Sequence, residues 1–246
     1  MKEYRGRKLY REKHGVLRLE EFNDSEELVV MVIPDLHVPY NHPDAFRFLK
    51  DIHDEFQPDV VVCLGDEVEL ASLSFHEKNP DAPSAKDEYD ATLEGLKRLY
   101  DLFPEVLVNV SNHGSRFYRV AHAAGIPSRA MKSYHELLQA PKTWTWSQRI
   151  VIQNVCYLHG DPKSGANATK SWMHDNKMST VHGHVHAWAQ VIYSADPFRE
   201  IFGMNAGCLI DPEALAFKYG NVYPNKATLG CGIVRGGRDA FFIPMR

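Results

Sequence analysis

At 246 residues, with 44% hydrophobic and 24% charged content, the chain has ordinary globular composition and the length for one sizeable core. Its formal charge of −4 excludes a molecule-wide positive field that would gather a polyanion, so any nucleic-acid contact has to be local. Cys63, Cys156, Cys208 and Cys231 lack the paired spacing of a zinc knuckle or redox motif, and no stretch reaches the roughly 20 apolar residues of a membrane span or resembles an apolar signal segment, so a soluble, cytoplasmic protein with reduced core cysteines is expected.

From Lys2 to Arg18 seven basic residues stand against Glu3 and Glu12, and an acidic stretch from Glu20 to Glu27 follows. Residues 1–27 therefore read as a solvated, charged arm, with phosphate tracking as the rarer use of such a run. The unbroken apolar run from Leu28 to Ile33 predicts a strand buried on both faces, and Asp35 and His37 come at its end. Pro43 then opens a helix whose Phe46, Leu49, Ile52 and Phe56 form one stripe. A second strand, Val60 to Leu64, ends in Gly65-Asp66. Ser84, with Asp87 three residues on, predicts the capped start of a helix carrying Tyr89, Leu93, Leu96, Tyr100 and Phe103, which Pro104 stops.

The third strand, Val106 to Val110, delivers Ser111-Asn112-His113. Residues 115–148 read as an insertion, partly helical, in which exposed Trp144 and Trp146 and basic Arg116, Arg119, Arg129 and Lys132 face a substrate. The apolar run from Ile150 to Leu158 ends in His159-Gly160, and a polar helix and a short strand lead to Gly183-His184-Val185-His186. Further strand-like runs lie near 189–193, 201–204, 231–234 and 240–243. With no repeat and no linker, residues 28–246 are expected to form one layered α/β domain with two packed mixed β-sheets flanked by helices.

Ligand-type side chains recur at one kind of place, just beyond the carboxyl ends of five predicted strands, where open α/β sheets bind ligands. Asp35, His37, Asp66, Asn112, His159, His184 and His186 supply two carboxylates, an amide oxygen and four imidazoles. That mixture suits Mn²⁺, Fe or Zn²⁺ better than cages built from oxygen alone. Seven ligands exceed one tetrahedral site and suit two metals sharing a carboxylate, with positions left for water and substrate. In Asp-x-His and His-x-His, alternate side chains on extended backbone point the same way.

Asp35-Leu-His37, Gly65-Asp66-Glu-Val-Glu69, Ser111-Asn112-His113, His159-Gly160 and Gly183-His184-Val-His186 occur in the order of the blocks of calcineurin-like metallophosphoesterases, which the chain resembles from about residue 28 to 210. Asn205-Ala-Gly-Cys208 is similar to the family's Asn-Pro-Gly-Ser turn. The resemblance implies a first metal on Asp35, His37, Asp66 and His186 and a second on Asp66, Asn112, His159 and His184, bridged by Asp66. It implies two divalent ions, Mn²⁺ first with Fe or Zn²⁺ as alternatives, and in-line attack on phosphorus by a hydroxide between them. His113 would be the general acid and Glu69 the carboxylate that orients it. The family has Gly before the Asn-His pair and Asp or Glu after it. Here Ser111 and Gly114 stand there, and Glu69 replaces the commoner Asp.

Around that centre His76 and Arg116 are the candidates for contacting the substrate phosphate, and His182 is expected to pack away from the metals. The preferred activity is a phosphodiesterase or nuclease acting on nucleic acid or nucleotides, since Gly65-Asp66 lacks the Asp-Arg-Gly continuation of the protein phosphatase branch and the insertion carries aromatic and basic residues. A phosphomonoesterase and a non-catalytic scaffold of the same fold are the alternatives.

Overall fold

The apolar runs do build two sheets. The computed structural model describes residues 2–20, 27–74, 81–214 and 224–246. Among them the elements follow as β1 (Lys2–Tyr4), β2 (Arg7–Arg11), β3 (Val16–Leu19), β4 (Val29–Ile33), α1 (Ala45–Phe56), β5 (Val60–Cys63), α2 (Ala85–Leu102), β6 (Leu107–Asn109), α3 (Arg116–Ala123), α4 (Tyr134–Leu137), β7 (Thr145–Ser147), β8 (Arg149–Ile152), β9 (Val155–Leu158), α5 (Ala168–Asn176), β10 (Ser179–His182), β11 (Gln190–Asp196), β12 (Arg199–Asn205), β13 (Gly230–Arg235) and β14 (Asp239–Pro244). One sheet has the order β14-β13-β4-β5-β6-β7 and the other β1-β2-β3-β8-β9-β10-β12-β11. Both are mixed: β4, β5, β6 and β7 run parallel in the first, β3 with β8 and β9 with β10 and β12 in the second, and the β14–β13, β13–β4, β1–β2, β2–β3, β8–β9 and β11–β12 pairs are antiparallel.

Strand alternation explains why β4 and β5 are apolar throughout. Val30, Val32, Val60 and Val62 point into the core between the sheets, against Ile150, Tyr157, Val181, Phe202 and Met204 of the other sheet. Met31, Ile33, Val61 and Cys63 point the opposite way, onto Phe46, Leu49 and Ile52 of α1 and Leu96 and Leu99 of α2. On the far side α5 covers Cys156 and Leu158 with Trp172. The result is a sandwich of two mixed sheets flanked by helices. Ser84 caps α2 through its Oγ, which accepts from Asp87 N at 3.2 Å. No helix among the described residues is long and apolar enough to cross a membrane, and the four cysteines are buried and free of disulfides.

Three expectations need correction. The basic segment before residue 20 is not a detached solvated arm: β1, β2 and β3 form a meander that joins the second sheet through parallel pairing of β3 with β8. Tyr4, Leu9, Leu17 and Leu19 fill the core between the sheets, while the charged residues from Glu3 to Glu20, on both faces of the strands, stay at least partly exposed, and single apolar residues set among charges do not show as a buried face in the sequence. Tyr4 fastens the meander by donating to Glu105 O (3.1 Å) and accepting from Val61 N (2.9 Å). Next, the run from 150 to 158 is not one strand but the hairpin of β8 and β9, turned at Gln153 and Asn154 with φ of 46° and 58°, the left-handed pair of a tight hairpin.

The third correction concerns residues 115–148. Their end is a sheet strand, β7, parallel to β6, and Trp144 and Trp146 are buried, at 0% and 8% exposure. Trp144 Nε1 donates to Phe103 O (2.9 Å) and Trp146 Nε1 to Glu67 Oε1 (3.0 Å). Only the helical portion, with α3 and the capping box of Ser133 and Glu136 on α4, elaborates the fold.

Candidate metal centre

Parallel strands end on the same edge, so β4, β5 and β6 of one sheet and β9 and β10 of the other bring their following residues to one place. Asp35, His37 and His186 form one group, and Asp66, His159 and His184 a second, each with ligand atoms within 4.8 Å of one another. The sheets are joined across the centre by Asp35 Oδ2, which accepts from His184 N (2.8 Å) and His186 Nε2 (3.0 Å). Asp66 Oδ2 stands between the groups, 3.6 Å from His37 Nε2 and 3.3 Å from His159 Nε2. Asn112 Oδ1 lies 2.6 Å from His159 Nε2. His37, Asp66 and His184 have φ of 53°, 47° and 65°, left-handed backbone that non-glycine residues adopt at a cost and that clusters at functional sites.

The donor chemistry fits a cation. His37 Nδ1 meets the Glu69 carboxylate at 2.5 Å and His159 Nδ1 meets Leu64 O at 3.1 Å, so each ring's proton is drawn to Nδ1 and the Nε2 lone pair is left facing the centre, as in metal-ligating histidines. Around His159 that lone pair meets two further acceptors, Asp66 Oδ2 and Asn112 Oδ1. A positive charge resolves the conflict. In the metal-free protein a proton does so: burial opposes it, but Asp66 and then Asp35 push His159 up to about 9. Asp66, buried yet surrounded by His159, His113 and His37, is held well below the carboxylate range. Asp35 Oδ1 is buried with no hydrogen-bond partner among the described residues, a position that needs a ligand.

Beside the metal groups, Glu69 is shared. Its carboxylate accepts from His37 Nδ1, from His113 Nδ1 (2.9 Å) and from Arg116 Nη1 (3.1 Å). Against the burial that would raise it, His37 and His113 hold its pKa far below the usual carboxylate value. Arg116 was expected to reach for substrate from the surface. It is instead buried, with Nη1 bound to Glu69 and Nη2 3.3 Å from His113 Nε2, because α3 begins at once after the Asn-His turn and folds its first residue back onto that turn. His76 lies outside the described residues. His182 packs away as expected, at 0% exposure.

Sequence reading missed three supports. Ser111 Oγ, where the family has glycine, accepts from both Asp66 N (2.8 Å) and Gly114 N (3.1 Å), so it pins the second block to the third. Glu67, read only as a spacer, is buried with its Oε2 unpartnered among the described residues, and burial pushes its pKa up to about 7. A Cβ at Gly114 would sit 3.4 Å from that same oxygen, so the Glu67 carboxylate lies beside the turn that carries His113. Lastly, Gln190 Nε2 donates to Thr169 Oγ1 (2.9 Å), which meets His182 Nε2 (2.9 Å), whose Nδ1 donates to Gly183 O (2.8 Å). This chain holds the turn that carries His184. The departures of Ser111 and Gly114 from the family pattern were the signals in the sequence.

Burial pulls the His182 pKa down to about 4, against about 6.5 in an unfolded chain. The fold therefore keeps it neutral while the unfolded chain takes up a proton. Its stabilisation is complete above pH 6.5 and is lost as pH falls toward 4, by about 3 kcal/mol over the whole window. Urea midpoints taken through this range in chelator should fall less steeply for His182→Gln than for the wild type; equal slopes would rule the account out.

No family model matches the chain, and no curated protein matches it. Solved structures do. Vacuolar protein sorting 29 from Cryptosporidium parvum is 13% identical over 85% of each chain, with a TM-score of 0.44. The phosphoesterase Yfce from E. coli is 18% identical over 84% of this chain and 87% of its own, at 0.41. The nuclease MPE from Pseudomonas putida is 12% identical over 98% of this chain and 97% of its own, at 0.32. Likenesses this distant carry no argument about activity, which has to come from the residues of the centre.

Proposed function

We propose that the chain is a dinuclear metal-dependent phosphoesterase, and that it acts on phosphodiesters. The observation that carries this reading is the position of Asp66 Oδ2 between His37 Nε2 (3.6 Å) and His159 Nε2 (3.3 Å), one carboxylate serving two groups of lone pairs. Asp35, His37, Asp66 and His186 would hold one divalent ion, and Asp66, Asn112, His159 and His184 the other. Bound there, the ions would acidify a water toward neutral pH and neutralise charge on the phosphoryl oxygens.

The remaining steps belong to side chains. His113 Nδ1 is taken by Glu69 (2.9 Å), so a proton for the leaving oxygen would be carried on Nε2, which stands 3.3 Å from the Arg116 Nη2 donor and would have to turn from it to the substrate. Asp66 and Glu69 raise its proton affinity against burial, while the Arg116 guanidinium works the other way and favours release. Glu69 fixes the ring planes of both His37 and His113, which lie at 84° to one another with centroids 4.6 Å apart. His113 backbone N donates to Asp66 Oδ1 (3.0 Å), so proton donor and shared carboxylate keep one spacing.

The diester reading rests on the missing Asp-Arg-Gly continuation after Gly65-Asp66. The insertion's tryptophans, being buried, no longer support it. The protein loaded with Mn²⁺ is expected to bind two ions per chain and to hydrolyse bis(p-nitrophenyl) phosphate faster than p-nitrophenyl phosphate. Monoester turnover alone would favour the phosphatase reading. Absence of turnover with both ions bound would leave a binding scaffold.

A further inference from the structure

Beside the two proposed ion positions lies a third group with ligand atoms within 4.8 Å of one another: His37, Asp66 and His113. His113 is built as the ligand His37 is. Each donates through Nδ1 to the Glu69 carboxylate, at 2.5 Å for His37 and 2.9 Å for His113, and each has Nε2 near Asp66 Oδ2, at 3.6 Å and 4.0 Å. A carboxylate on one ring nitrogen, with the other nitrogen left to an acidic centre, is the arrangement of a metal-ligating histidine. Two histidines and a carboxylate also make the protein half of an open zinc site. A metal on Nε2 would take the lone pair that has to carry the proton. His113 can serve a leaving oxygen only if a cation is kept away from it.

Arg116 stands in that place. Its Nη2 lies 3.3 Å from His113 Nε2, the atom that would ligate. Arginine only donates and stays charged, so the guanidinium occupies that lone pair and sets a positive charge where an ion would sit. It is fixed from behind: Nη1 donates to Glu69 O (2.7 Å) and Glu69 Oε1 (3.1 Å), and the side chain is buried. Arg116 N donates to His113 O (2.9 Å), so ring and guanidinium belong to one turn. His37 Nε2 meets instead His186 Nε2 at 3.3 Å, a second ligand-type nitrogen. We propose that Arg116 is a positioning residue that works as a tethered cation, excluding a divalent ion from His113 and so leaving His37 to the metal and His113 to the proton. A guanidinium is costly to bury beside a single carboxylate, and this use gives its charge a purpose that packing alone does not. The inference rests on the dinuclear reading of the centre.

The test measures metal affinity rather than turnover. Metal-free wild type, Arg116→Gln, Arg116→Lys and Arg116→Gln combined with His113→Asn are titrated with Zn²⁺ against a chromophoric chelator, zinc being the ion at ease with imidazole and few ligands. Loss of a merely structural side chain would loosen the centre, whereas loss of a guarding charge tightens it. Arg116→Gln is expected to hold one ion about ten- to a hundredfold more tightly, the span over which groups behind the ligands tune affinity, or to bind a third ion. The gain should vanish when His113 is also replaced, and Arg116→Lys, which keeps the charge, should stay near wild type. In zinc-loaded protein the nitrogen NMR signal of His113 Nε2 should move to its metal-bound position in Arg116→Gln and not in wild type. Equal or weaker affinity in Arg116→Gln, a gain that survives His113→Asn, or a metal-bound His113 in wild type overturns the proposal. If Arg116→Gln does not fold, Arg116→Met carries the same comparison. Wild type that binds no divalent ion would refute the dinuclear reading itself, and this proposal with it.

Discussion

Asp66→Asn is expected to empty both metal positions together, whereas His113→Asn should leave two ions bound and lower kcat by about 10²- to 10⁴-fold. The contrast follows from the contacts. Asp66 Oδ2 faces histidines of both groups, so loss of its charge is felt on each side, and an amide nitrogen placed there would oppose a cation. His113 meets Glu69 through Nδ1 and approaches Asp66 Oδ2 only at 4.0 Å; it also lies with His37 and Asp66 within 4.8 Å, and the variant tests whether the other seven residues hold both ions without it. Metal content by mass spectrometry and single-turnover rates separate the two effects. Equal metal loss in both variants would contradict the assignment of His113 as proton donor.

Gly183→Ala should damage the centre without removing any ligand. A Cβ at that position would lie 2.2 Å from Asp35 Oδ1 and 3.5 Å from Leu64 Cβ. Asp35 cannot yield easily, because it is fully buried and its Oδ2 is fixed by His184 N and His186 Nε2. Overpacking of this kind costs about 1–3 kcal/mol. It should lower the melting temperature of the metal-free protein, and weaken metal affinity more than Gly114→Ala does, where the closest atom is the Ser111 hydroxyl at 3.0 Å. Unchanged metal affinity in Gly183→Ala would show that Asp35 Oδ1 is free to move and is not a ligand.

Several parts of this arrangement are legible in the sequence. The double-faced apolar runs of β4, β5 and β6 and the striped helices α1 and α2 follow from periodicity, and the predicted ligands followed from what stands at the ends of those runs. The basic meander was not legible, because its core consists of Tyr4, Leu9, Leu17 and Leu19 scattered singly among charges, and each gains its burial only against a distant strand. Trp144 and Trp146 looked like loop aromatics for the same reason. Their indole nitrogens are satisfied by Phe103 O and Glu67 Oε1, groups 41 and 79 residues away along the chain.

Glu67 and Arg116 show how a residue's place in the sequence misleads about its surroundings. Glu67 looks like a spacer, yet its carboxylate is buried against Trp146 Nε1 and beside Gly114. Arg116 is the reverse case: a basic residue in the expected place for substrate contact, already bound to Glu69 and facing His113.

By itself the sequence determined which side chains stand at strand ends and that two carboxylates, an amide and four imidazoles are available there, because local periodicity and ligand chemistry are properties of the chain alone. Only the tertiary structure decided that Asp66 lies between the two groups and that Glu69 joins His37, His113 and Arg116. Those are relations between segments far apart in the chain, set by how two sheets pack and twist against each other, and no local spacing encodes them.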